Sequence, residues 1–149
     1  MKPRLLIIGF VILTILGTSF LLWRSSPEQT VKRQAHHLLN CLEKGALSRT
    51  TPSEKADLLV DLLTRSFKVQ APYPVDSGSF NHAQAAQSLR DFHNSVMSCA
   101  ISRDNPLVNF ESDNSGRYEV VLSVEINLGP RRQHYLKYKC LIEFIMYEE

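Results

Sequence analysis

The sequence predicts an α+β protein in which an N-terminal transmembrane helix precedes three helices packed on a curved antiparallel sheet. Three observations carry that prediction. Leu5 to Trp23 hold no charged side chain. Between Ser26 and Val96, apolar residues recur at spacings of three and four behind helix-capping signals. From Tyr118 onward the apolar period falls to two. Residues 1–24 read as a short tail and membrane anchor, and residues 25–149 as one compact α+β domain.

The uncharged run is bracketed by Lys2 and Arg4 before it and Arg24 after it. At ~1.5 Å per residue such a helix covers about 28 Å, close to the roughly 30 Å hydrocarbon core of a bilayer. A cleaved signal peptide is the competing reading. It fits less well, because the apolar stretch continues through Phe20, Leu21, Leu22 and Trp23 and no Ala-x-Ala pattern follows. Trp23 suits an interfacial belt. Basic residues flank both ends, so charge alone leaves the orientation open. The dense positive charge of the four-residue tail favours a cytoplasmic tail and a translocated, extracytoplasmic domain.

The first helix of the domain is announced by Ser26-Pro27-Glu28-Gln29, which offers an N-cap, a proline at the first helical position and a glutamine at the capping-box position. Val31, Ala35, Leu38, Leu39 and Leu42 form its apolar stripe, and Gly45 stands near its end. Thr51-Pro52-Ser53-Glu54 repeats the signal for a second helix, with Leu58, Leu59, Leu62, Leu63 and Phe67 as its stripe. Residues 67 to 71 pass into a short strand. Pro72, Pro74 and the Asp76 to Ser79 segment then turn the chain. Asn81, with Gln84 three residues on, caps a third helix lined by Ala85, Leu89, Phe92 and Val96.

Beyond this point the chain reads as a meander. Leu107 to Glu111, extendable upstream to Ser98, gives one strand. Tyr118, Val120, Leu122, Val124, Ile126 and Leu128 alternate along a second. After Gly129-Pro130-Arg131-Arg132, a third carries His134, Leu136, Tyr138, Cys140, Ile142, Phe144 and Met146 on one face. Its other face, with Tyr135, Leu141 and Ile145, is mixed rather than polar. It is either an interface or a surface covered within the fold.

Composition excludes several functions. Lys2 and Arg4 account for two of the 17 basic residues, so the remainder balance the 15 acidic ones. A domain with no excess of positive charge lacks the basic face that nucleic acid requires. The clusters Lys32/Arg33, Arg131/Arg132 and Lys137/Lys139 read as solvated patches, the last two also guarding a hairpin against edge pairing. Cys41, Cys99 and Cys140 are odd in number and lack CxxC spacing. That argues against structural zinc and favours small buried hydrophobes over one disulfide plus a free thiol. His36 and His37 point about 100° apart on a helix and cannot share a metal as an i, i+4 pair does. No GxSxG or phosphate-cradling loop is present, and neither a cofactor nor a metal is called for.

The order of two capped helices, a short strand, a third helix and a meander of alternating strands over Pro27 to Met146 resembles the nuclear transport factor two-like family. Gly78-Ser79-Phe80-Asn81 leading into Ala85 to His93 is similar to that family's turn into its third helix. The chain has three strands after that helix where the family commonly has four. The resemblance implies a cystatin-like, cone-shaped domain whose bent sheet wraps the helices around a cavity. Membrane-anchored members include an inner-membrane assembly factor of type IV secretion systems. This chain resembles that factor in its order of tail, crossing and periplasmic domain.

Enzymes on the fold it resembles place an Asp or His with a Tyr in the cavity. The resemblance therefore makes Asp57, Tyr73, Asp76 and His93 catalytic candidates, with Asp61, His82, Tyr118, Tyr135 and Tyr138 behind them. Against each stands a plain structural role, and for His93, next to Phe92 on the third helix, that role is a satisfied core histidine. The leading expectation is a membrane-anchored domain that binds other proteins or itself, held in lipid by Leu5 to Trp23. The alternative is a small-molecule binder or isomerase-type enzyme using the cone cavity.

Overall fold

The computed structural model describes residues 26–47, 49–70 and 78–145. The anchor reading of Leu5 to Trp23 lies outside these residues, as do Tyr73 and Asp76. Among the described residues no helix is long and apolar enough to cross a membrane.

The chain runs α1 (Pro27–Leu42), α2 (Pro52–Leu62), β1 (Ser66–Val69), β2 (Gly78–Asn81), α3 (His82–Ser95), β3 (Ser98–Ser112), β4 (Ser115–Asn127) and β5 (Gln133–Ile145). All three helices start where the capping residues placed them. The Ser26 hydroxyl accepts the Gln29 amide. The pairs Thr51/Glu54 and Asn81/Gln84 form complete capping boxes, each satisfying two backbone donors that have no partner inside the helix.

The strands form two sheets rather than one. β1 and β2 make an antiparallel pair in which Phe67 and Phe80 are partners and their rings stack at 6.1 Å. β3, β4 and β5 form an antiparallel meander in that order. Two expectations are corrected in this region. α2 stops at Leu62, so Phe67 belongs to a strand and not to the helical stripe, and Leu58 is exposed. Residues 78 to 81 are a strand and not a turn, because Ser79 and Phe80 pair with Lys68 and Phe67. The longer bound for the first meander strand, from Ser98, is the correct one.

Two apolar clusters fill the domain. Val31, Ala35 and Leu39 of α1 lie on Cys99, Ile101, Tyr118, Val120 and Leu122 of the meander. Cys41, Ala56, Leu59, Ala85, Ala86 and Leu89 join the three helices, with small alanines letting α2 and α3 approach closely. Gly116 lies in β4, where an added Cβ would meet Val31 Cγ2 at 3.0 Å. It marks a point of close approach between α1 and the sheet. The three cysteines are free thiols, two of them buried and Cys140 half-buried.

Alternation along β4 is as expected, with Tyr118, Val120 and Leu122 buried. Along β5 it holds only in part. Cys140, Ile142 and Phe144 pack on the core, but His134, Leu136 and Tyr138 of the same face are exposed.

Candidate functional site

In a domain whose helices pack on a sheet, the first place to look for chemistry is the space between the two. Here that space is occupied by side chains. The largest fully buried ones are Tyr118, Leu39, His93, Val31 and Val120. The Tyr118 ring meets His36 of α1 edge-on at 6.4 Å. The Tyr118 hydroxyl is buried with no hydrogen-bond partner among the described residues. Burial raises its pKa, with Arg103 and Lys32 acting in the opposite sense.

His93 is buried on α3, 1% exposed. Its Nε2–H donates to the Leu42 carbonyl at 3.2 Å, joining the end of α1 to α3. Burial is the main cause of its lowered pKa; the Leu42 bond opposes the shift, and Lys55 and Lys44 add to it. A neutral imidazole with one nitrogen committed to a backbone carbonyl ties the end of α1 to α3.

Beside His93 opens a depression of about 300 Å³ lined by Lys44, Arg49, Thr51 and Lys55 among others. Its lysines, which the sequence did not single out, have defined tasks. Lys44 Nζ donates to the Val96 carbonyl at 2.7 Å and also to that of His93, closing the C-terminal end of α3. Lys55 Nζ donates to the carbonyls of Asn40 and Glu43 at the end of α1. α1 has no basic residue in its own last turn, so Lys55 supplies from a neighbouring helix the positive charge that its dipole favours there. Arg103 of β3 reaches the same end, with Asn40 Oδ1 at 2.6 Å and Glu43 Oε1 at 3.4 Å. Backbone bonds between Lys44 and Cys99 at 2.8 and 2.9 Å fasten this corner to β3.

The remaining candidates do not converge. Asp57 and Asp61 are exposed on α2. His82 Nε2 lies 3.0 and 2.9 Å from the carbonyls of Leu63 and Thr64, a clasp on the loop into β1. Tyr135 and Tyr138 are exposed on opposite faces of β5. No group of three or more metal-ligating side chains exists among the described residues.

The open side of the molecule is the sheet. Its outer face carries a shallow groove of about 270 Å³ bordered by Ala100, Ser102, Glu125, Tyr135 and Lys137 among others. The Tyr135 hydroxyl donates to Glu125 at 3.3 Å. Arg117 bridges Glu111 and Glu143 at 2.6 and 3.0 Å, and Lys139 meets Glu119 at 3.3 Å. Between these polar contacts Leu141 and Ile145 remain exposed.

No protein-family model matches the chain, and no curated protein matches it. A solved structure from Novosphingobium aromaticivorans, given the provisional name scytalone dehydratase, superposes with a TM-score of 0.52 at 12% sequence identity. The match covers 84% of this chain and 76% of that one. It supports the nuclear transport factor two-like fold for the domain, and at this identity it shows the fold alone.

Proposed function

We propose that this chain is a single-pass membrane protein whose small α+β domain binds other proteins, as an accessory or scaffold subunit of an envelope assembly. The observation that carries this reading is the filled interior of the cone. Where a small-molecule site on such a fold needs a cavity with converging polar groups, Leu39, Val31, Tyr118 and Val120 are packed together. Most of the exposed large apolar side chains among the described residues lie on the sheet, where Tyr135, Leu141 and Ile145 face outward. The anchor rests on the uncharged run Leu5 to Trp23, which places the domain a few residues from the bilayer.

One observation favours the second reading, a small-molecule-binding or isomerase-type enzyme. His93 is neutral, buried and at the wall of the Lys44–Lys55 depression, which is the kind of environment that tunes a general base. Its Nε2 bond to Leu42 and the absence of a carboxylate or tyrosine among the described residues lining that depression weigh against it.

The test is site-specific photo-crosslinking of the full chain in native membranes. A crosslinking residue at Leu141, on the outer sheet face, is expected to give a discrete protein adduct. One at Gln87, exposed on α3, is expected to give none. No adduct from Leu141, or the same diffuse pattern from both positions, overturns the reading.

A further inference from the structure

We infer that two copies of this chain join edge to edge through β5, antiparallel about a two-fold axis at Cys140, to make one continuous six-stranded sheet. The inference deepens the protein-binding reading and rests on it only in treating the free side of the sheet as an interaction surface.

The two edges of the meander are built differently. The register of β3 against β4 shifts between Asp104 and Leu107 and again between Phe110 and Ser112, Asn105 is held at φ 51°, and Pro106 removes a backbone donor. The start of β3 is further occupied by its backbone bonds to Lys44. Bulges, a proline and a covered end are the usual protections of an edge strand. Among the described residues β5 has none of them. It pairs with β4 without a break from Gln133 to Ile145, and β4 is its only partner among the described strands. Tyr135 (69%), Ile145 (61%) and Leu141 (48%) stay exposed along it.

The occupant is identified by the strand's own sequence, because β5 is complementary to itself when reversed. A two-fold axis normal to the sheet keeps each face with its like, so residues pair when their numbers are symmetric about 140. On the outer face Tyr135 then meets Ile145, Lys137 meets Glu143 and Lys139 meets Leu141, each twice over. On the inner face Leu136 meets Phe144 and Tyr138 meets Ile142. Lys137 has no carboxylate partner within its own chain among the described residues, whereas Lys139 is already held by Glu119. Centring the pairing on Lys139 sets that lysine against its own copy. Centring it on Leu141 puts Glu143 on the occupied Lys139 and leaves Lys137 against Ile145. The lysine that generally guards an edge against pairing here selects one register of one partner.

The test is the oligomeric mass of the full chain in mild detergent, measured by light scattering after size exclusion, with unchanged circular dichroism as the fold control. The wild-type chain is expected to run as a dimer. Lys137→Glu and Glu143→Lys are each expected to raise the dimer dissociation constant at least ~10-fold by placing like charges opposite one another. Mixing the two variants is expected to restore the dimer, since every 137–143 contact then unites opposite charges. Lys137 makes no bond within its own chain among the described residues, so its variant keeps the test sound even if Glu143→Lys disturbs Arg117. A wild-type monomer, or charge variants that dimerise as well as wild type, overturns the inference. A monomer that still gives a Leu141 adduct to a different protein overturns this inference alone, whereas a monomer with no adduct overturns the protein-binding reading as well.

Discussion

Replacing Tyr118 by Phe separates a structural tyrosine from a reactive one. The side chain is 0% exposed, and its hydroxyl has no hydrogen-bond partner among the described residues. Burying a hydroxyl without a partner costs about 1–3 kcal/mol in protein mutational series. Phenylalanine keeps the ring, its edge contact with His36 and its packing on α1, while removing the atom that bears this cost. The variant is therefore expected to be more stable than wild type by about 1 kcal/mol, equivalent to a rise in Tm of about 4 °C for a domain of this size. Urea unfolding of the full chain, followed by circular dichroism, reads the difference as a higher midpoint at unchanged slope. A loss of 1 kcal/mol or more would refute the reasoning, because it would mean that the hydroxyl is bonded in the folded protein. It would also revive Tyr118 as a proton donor beside Arg103, whose charge acts on it.

Two further substitutions address the corner where the helices end. Lys44→Met removes the cation that closes the C-terminal end of α3 and leaves the Val96 and His93 carbonyls without it; a loss of about 2 kcal/mol is expected in the same unfolding assay. His93 sets a pH dependence whose sign follows from its lowered pKa, caused first by burial. The unfolded chain binds this proton more readily than the folded one. The contribution is thus fully present above the ordinary histidine value of about 6.5 and is lost as pH falls through the folded value. Stability measured between neutral and mildly acidic pH should fall in wild type and fall less in His93→Gln. Equal slopes for the two proteins would exclude His93 as the source.

The helices were legible because their starts are written locally. Ser26, Thr51 and Asn81 each accept a backbone amide three residues ahead, and no distant contact is needed to place them. Their ends were less legible. Phe67 fits a helical stripe by spacing, yet β2 lies opposite it and the strand pairing prevails over the period. Gly116 shows the same limit, since whether a glycine serves a turn or a close approach depends on Val31, which lies far from it in sequence. The candidate site was the least legible part. Lys44 and Lys55 look like ordinary surface lysines, and only the fold brings them to carbonyls of other elements. A sequence signal did exist for one of them: α1 carries no basic residue in its last turn, which favours a cation supplied by another element.

The exposure of β5 follows from the same architecture. A helix is about 10 Å across and strands lie about 4.8 Å apart, so one helix laid along a sheet covers roughly two strands. α1 packs on β3 and β4, and the core beneath it is drawn mainly from those two strands. Only the C-terminal half of β5, at Cys140, Ile142 and Phe144, comes within reach of that core, and Leu136 and Tyr138 lie beyond it. A third strand is thereby made apolar enough to belong to the sheet while too little is placed over it. Its pairing edge and part of both its faces are left to whatever the domain meets. In a domain with a filled interior, that strand carries five exposed large apolar side chains, Tyr135, Leu136, Tyr138, Leu141 and Ile145, more than any other described element. The self-matched order of Tyr135, Lys137, Glu143 and Ile145 makes a second copy the partner to test first.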